Sequence, residues 1–191
     1  MKLSLTELAF KVESTAGVNP FPELEKLYGG YYRPYYHLLY NLAQTAYKQE
    51  LLCVELGVEK GRGCASMALT GADVVGVDHF RSGEIAVVES TFPNFSFLEM
   101  DSLPVPTQIK RPIGVLHVDT EHTYAQAREE LKGYAPLLAD GAVVCFDDLH
   151  AMNDAVAKFF FKLDCPKIAD DRLHECGYGV ILYRKGMTIP E

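Results

Sequence analysis

Five short apolar runs, each carrying a carboxylate at its carboxyl end, constrain this chain more than any other feature. Leu51–Leu56 (LLCVEL), Asp73–Val77 (DVVGV), Phe95–Met100 (FSFLEM), Ile113–Val118 (IGVLHV) and Ala142–Phe146 (AVVCF) are continuous rather than alternating. Most are rich in β-branched residues and bounded by Gly, Pro or Asp, as strands covered on both faces should be. The stretches 61–69, 83–90, 123–138 and 150–163 between and after them have helical character, and in Tyr124–Leu131 apolar and charged positions segregate at helical spacing. Strand and helix in alternation predict βαβ units: an α/β fold with a doubly wound, mainly parallel sheet and helices on both faces. Lys167–Asp170 and Tyr178–Arg184, with a turn near Glu175–Gly177, read as a closing antiparallel strand pair. No repeat, low-complexity tract or linker divides the chain, so a single domain is expected. Within it, an N-terminal helical, tyrosine-rich cap segment (1–50) precedes the core (51–191).

Composition excludes several classes. The 191 residues suit one domain, and 48% hydrophobic with 23% charged residues argues against long disorder. Eighteen Lys plus Arg against 26 Asp plus Glu leave a net charge of −8, a poor start for displacing counterions from nucleic acid. Five cysteines, without C-x-x-C spacing, disfavour a disulfide framework and a thiolate zinc site. Cys53 and Cys145 lie in strand-like runs, where Cys packs as a small hydrophobe. Glu and Lys interrupt the opening MKLSLTELAFKVES, unlike a signal peptide, and no apolar run nears the ~20 residues that span a bilayer. The expectation is a soluble protein of a reducing cytoplasm, with neither nucleic-acid nor membrane partner. Six of eleven tyrosines (Tyr28, Tyr31, Tyr32, Tyr35, Tyr36, Tyr40) crowd one window that Gly29-Gly30 and Pro34 interrupt. They either pack on the sheet or cap a substrate pocket or homodimer contact, since amphipathic rings suit all three.

Ligands of open parallel sheets bind outside the carboxyl ends of the strands, so those ends carry the chemistry. Here they read Glu55-Leu-Gly57-Val-Glu-Lys-Gly61-Arg-Gly63, Asp78-His79, Asp101-Ser102, Asp119-Thr-Glu-His122 and Asp147-Asp148. Gly57 and Gly61 flank a strand-to-helix turn that lets backbone approach a ligand. Their G-x-x-x-G-x-G spacing is not the G-x-G-x-x-G of dinucleotide enzymes, and Glu59-Lys60 crowd where a pyrophosphate would lie. Glu55 would repel phosphate but attract an ammonium, and Asp78, some twenty residues on, suits two ribose hydroxyls. A ribose-bearing ligand with a cationic amino-acid part fits this set better than a dinucleotide.

Asp119, Asp147 and Asp148 end what should be neighbouring strands, and an oxygen-only set suits a hard divalent cation, Mg²⁺ before Mn²⁺ or Ca²⁺. The competing roles are an N-cap at Asp148 for the helix near His150, a solvated loop acid at Asp147, and a surface or capping histidine at His122. His122, three residues beyond Asp119, is the candidate general base, because an imidazole titrates near neutrality. His150 is the second candidate. His79 is expected beside the ribose or adenine, His37 is a possible pocket residue, and Tyr124 is expected to pack.

The motifs Glu55-x-Gly57-x-x-x-Gly61, Asp78, Asp101-Ser102 and VDTEHTYAQAREELKGYAPLLADGAVVCFDDLH resemble the class I S-adenosylmethionine-dependent methyltransferases over about Leu51 to Leu149. Within them the chain looks like the small metal-dependent O-methyltransferase group that includes macrocin-type sugar methyltransferases and cephalosporin-hydroxylase-like proteins. The resemblance implies a Rossmann-like fold and an S-adenosylmethionine site on Glu55, Gly57, Gly61, Asp78, His79, Asp101, Ser102 and Asp119. It implies a divalent cation, Mg²⁺ first, on Asp119, Asp147 and Asp148, and His122 as base toward the hydroxyl of a sugar, phenolic or natural-product acceptor. Gly63 departs from the pattern, since many members have Ser there. Metal-independent transfer and a non-catalytic cofactor-binding module are the rival expectations.

Overall fold

In the computed structural model, which describes residues 3–15 and 33–191, all seven expected strands form. They are β1 (Leu52–Leu56), β2 (Val74–Asp78), β3 (Phe95–Glu99), β4 (Ile113–Val118), β5 (Leu138–Phe146), β6 (Lys167–Ala169) and β7 (Gly179–Leu182). The helices are α1 (Leu5–Thr15), α2 (Pro34–Tyr47), α3 (Arg62–Ala68), α4 (Gly83–Thr91), α5 (Tyr124–Tyr134) and α6 (Ala151–Lys162). One sheet runs in the order β3-β2-β1-β4-β5-β7-β6, with β1 to β5 parallel and β7 antiparallel to both β5 and β6. Strand order reverses between β1 and β4, the switch point at which such sheets open a ligand crevice.

The central parallel strands send alternate residues to two covered faces, which is why their runs read as continuous, whereas the edge strand β3 leaves Ser96 and Glu99 exposed. On one face Cys53, Val115 and Val143 meet Leu8, Val12 and the α2 and α3 side chains. On the other Leu52, Val54, Leu56, Leu116 and Val144 meet α5 and α6 through Leu131, Tyr134, Phe159 and Phe160. The helix expected over 123–138 stops earlier, at Tyr134, and a 3-10 turn at Ala135–Leu137 follows. Pro136 has no N–H to continue the helical ladder, so the chain turns into β5 at Leu138.

Pro34 opens α2 rather than breaking it, because the first helical position needs no amide donor. Tyr35 and Tyr36 are buried on that helix, whereas Tyr28, Tyr31 and Tyr32 lie outside the described residues. The five cysteines are free thiols, with Cys53, Cys64 and Cys145 buried. No helix among the described residues is long and apolar enough to cross a membrane.

Candidate active site

The strand ends β1, β2, β4 and β5 open into a cavity of about 830 Å³. Gly57, Asp78, His79, Asp101, Ser102 and Asp119 line one part of it, and His122, Asp147 and Asp148 line another. At the switch point β1 and β4 nearly touch: a Cβ on Gly57 would lie 1.8 Å from the Asp119 carbonyl oxygen. With φ at +78° this position favours glycine on both conformational and steric grounds. Asp78 Oδ2 accepts the Val58 and Glu59 amides at 2.7 and 3.0 Å, and its Oδ1 accepts the Phe80 amide at 3.0 Å. The second strand's acid therefore clamps the glycine turn while also facing the cavity.

Gly61 stands apart from this group. Its left-handed backbone starts α3 and its α-carbon abuts Val88 and Ile85, so among the described residues it supports the turn from behind without lining the cavity. Ser102 lines the cavity, but its hydroxyl donates to Glu130 at 2.6 Å and accepts from Gln126 at 3.1 Å. Thr120 completes the network on Glu130 at 2.9 Å, tying the loop after β3 to α5. Asp101 and His79 stay exposed at the rim.

One polar row crosses the sheet where apolar residues would be expected. Glu55 pairs in register with His117, and His117 with Cys145. Glu55 Oε1 contacts His117 Nδ1 at 2.9 Å, and both side chains are almost fully buried. Burial opposes the His117 charge, yet Glu55 raises its pKa above the ordinary range. Glu55 Oε2 also lies buried at the cavity wall without a hydrogen-bond partner, an acceptor suited to an ammonium. Gly63 leaves that carboxylate its room, since a Cβ there would sit 1.9 Å from Glu55 Oε1. This explains the missing side chain at that position.

The acids after β4 and β5 meet, but not as an oxygen-only set. His122 Nε2 contacts Asp119 Oδ1 at 3.0 Å and its Nδ1 faces Asp148 Oδ2 at 3.5 Å. His174 Nδ1 lies 3.0 Å from both Asp147 Oδ1 and Asp148 Oδ1. Donor atoms of Asp119, His122 and Asp148 lie within 4.8 Å of one another, as do those of His117, Asp119 and Asp147. Imidazoles thus stand between the carboxylates and offset their repulsion. Burial together with Asp147 raises Asp119 to about 6 against the pull of His122. Burial disfavours charge on His174, but Asp147 and Asp148 outweigh it and raise that ring to about 9. Burial would raise Asp148 too, but His174 and His122 hold it below the usual carboxylate range.

Both bland roles for the paired acids fail here. Asp147 is 4% exposed, so it is no solvated loop acid. The residue before α6 is His150, without a side-chain cap, and Asp148 instead turns through φ +52° into the cavity. His150 pairs with Asp154 and Asp171 away from the cavity lining. Tyr124 packs edge-on against Phe159, and neither it nor His37 lines the cavity.

Sequence analysis assigned no role to His117 or His174, whereas Tyr35 and Tyr36, among the tyrosines expected to pack on the sheet or cap a pocket, are buried and line the cavity. The first had a signal: in LLCVEL and IGVLHV the polar residue is penultimate, so parallel pairing puts the two side by side. The second follows once β7 is antiparallel, because the turn before it must return to the carboxyl ends of the parallel strands.

The profile of a methyltransferase domain family matches residues 54–149, half of the chain. A crystal structure of a methyltransferase from Geobacter sulfurreducens superposes with a TM-score of 0.64 at 15% identity, covering 94% of this chain and 98% of that one. The apo TDP-rhamnose 3'-O-methyltransferase of calicheamicin biosynthesis gives 0.59 at 19% identity, covering 93% and 94%. An rRNA methylase from Streptococcus thermophilus gives 0.62 at 14% identity, covering 78% and 95%. At these identities the likeness is one of fold. No curated protein matches the sequence.

Proposed function

The chain belongs to the methyltransferase domain family, enzymes that draw methyl groups from S-adenosylmethionine, and from that premise we propose O-methyl transfer to a hydroxyl of a small acceptor. Asp119, Asp147 and Asp148 would hold a divalent cation, Mg²⁺ first, beside the acceptor. One observation carries this: the acid cluster and the glycine turn are walls of one cavity, joined where Gly57 abuts Asp119. Two features support the cofactor's place, the unpartnered Glu55 Oε2 and the room left by Gly63. For the cation, the carboxylates offer a fit: Asp119 has a donor atom within 4.8 Å of one on Asp147 and of one on Asp148, and all three residues line the cavity.

The bound cofactor supplies an electrophilic methyl, and the cation supplies charge that lowers an acceptor hydroxyl's pKa. The chain's own residues do the rest. His122 Nε2 lies 3.0 Å from Asp119 Oδ1, and a neutral ring that donates there keeps Nδ1 as its basic atom. Asp148 lies 3.5 Å from that nitrogen, too far for a hydrogen bond, so Nδ1 is open to take the acceptor proton. Asp119, 3.0 Å from His122 Nε2, would stabilise the imidazolium once His122 has taken the acceptor proton. Buried Tyr35 and Tyr36 exclude water from this side and hold the acceptor in a fixed attack geometry.

A metal-independent transfer is favoured by one fact: His122 and His174 already counter the carboxylate charge. Chelation separates the two. With a panel of sugar and phenolic hydroxyl acceptors, turnover should fall to background in chelator and return with Mg²⁺. Asp147→Asn should lose that stimulation with cofactor affinity unchanged within a few-fold. Full turnover in chelator would establish the metal-independent route instead.

A further inference from the structure

Beside the acid cluster lies a second donor set of different chemistry. Asp148, His174 and Cys176 each present one ligand atom, and these atoms lie within 4.8 Å of one another. His174 and Cys176 are two residues apart in the turn before β7. Gly177, at φ +79°, closes that turn with its amide on the His174 carbonyl at 2.9 Å. The Cys176 carbonyl is held in turn by the His150 amide at 2.8 Å. The three side chains are therefore presented by a fixed backbone rather than a loose tail.

The buried member of this set, His174, completes no hydrogen bond. His174 is 4% exposed: its Nδ1 lies 3.0 Å from Asp147 and Asp148 oxygens without completing a hydrogen bond, and its Nε2 has no hydrogen-bond partner. Asp148 Oδ1 is likewise buried without a hydrogen bond. Buried polar groups that complete no hydrogen bond are costly, and a shared cation would satisfy an imidazole nitrogen and Asp148 Oδ1 together. Ligand atoms around a tetrahedral zinc stand roughly 3.3–3.6 Å apart, given bonds of about 2.0–2.3 Å.

We propose that Asp148, His174 and Cys176 form a site for a thiophilic divalent cation, zinc being the natural occupant, with its fourth position open to the cavity. A thiolate and an imidazole select zinc over magnesium, whereas Asp119 and Asp147 offer the hard cation its oxygens. Asp148 belongs to both sets, so occupancy of the soft site withdraws a ligand from the hard one. That competition rests on the metal-assisted reading of the catalytic cluster; the soft site itself does not.

Cobalt(II) tests both parts without an acceptor. Titrated into the thiol-reduced chain, Co²⁺ should give a thiolate-to-cobalt charge-transfer band that saturates at one equivalent and vanishes on adding Zn²⁺. Cys176→Ser should abolish the band and weaken Zn²⁺ binding at least about tenfold, as loss of a ligand must exceed the 10–100-fold cost of losing a supporting partner. Cys165→Ser, altering the other partly exposed thiol, should leave the band intact. Excess Mg²⁺ should raise the Co²⁺ needed for half-saturation in the native chain but not in Asp119→Asn. Saturation without the band, or a band that survives Cys176→Ser, would overturn the site. A band indifferent to Mg²⁺ would overturn the shared ligand. Methyl transfer that proceeds fully in chelator would refute the catalytic metal while leaving the band untouched.

Discussion

At the scale of single residues, the cavity concentrates charges that only neighbours keep in balance. On the proposed reading His122 takes the acceptor proton, so His122→Ala should lower kcat by about 10²–10⁴, the range for a positioned general base, with cofactor affinity little changed. Equal loss of kcat and cofactor binding would point to a structural role. The same balance makes the metal-free protein sensitive to pH. His174, raised from 6.5 to about 9, contributes stability that is complete below about pH 6.5 and gone above about pH 9. Asp119, raised from 3.8 to about 6, acts in the same direction over its own window, because its ionised form is the disfavoured one in the fold. Melting temperature without metal should therefore fall from pH 6 to pH 9, and His174→Ala should flatten the upper part of that fall. Mg²⁺ should raise the melting temperature more at pH 8 than at pH 6, where protons compete for the carboxylates. A melting temperature that climbs with pH in metal-free buffer would contradict the coupling.

At the scale of elements, the β1 turn is where conformation and chemistry coincide. Gly57→Ala places a methyl against the Asp119 backbone at a positive φ, so denaturation should report a loss of at least about 1–3 kcal/mol. Gly83→Ala, opening α4 with nothing within 4 Å, should be neutral or gain up to about 1 kcal/mol. A Gly57→Ala loss no larger than the Gly83→Ala change would refute the close contact of β1 and β4. The elements were legible in the sequence because strands covered on both faces leave unbroken apolar runs, and their carboxyl ends were legible because acids there have no packing reason to exist. The polar row was not. Glu55, His117 and Cys145 look like interruptions of three separate strands until pairing register sets them side by side. His174 escaped for a related reason, since only the antiparallel entry of β7 carries its turn back to the cavity. Local pattern reveals elements, whereas these contacts depend on which elements become neighbours.

At the scale of the whole molecule, the fold brings two kinds of site to one crevice. The first half of the sheet presents the turn clamped by Asp78, and the strands beyond the switch point present the acids and their histidines. Asp78→Ala removes a charged acceptor from two turn amides; at about 1.5–3 kcal/mol for such bonds, S-adenosylhomocysteine affinity should fall roughly 10–150-fold by calorimetry. Unchanged affinity would separate the turn from cofactor binding. The central claim is that one cavity holds a methyl donor at that turn and a hard cation at the acids, and a crystal grown with S-adenosylhomocysteine and Mn²⁺ tests it most directly. Anomalous scattering should put manganese in coordination contact with Asp119, Asp147 and Asp148, in the same cavity as the thioether sulfur. A cavity holding the nucleoside with no manganese on those carboxylates would contradict it.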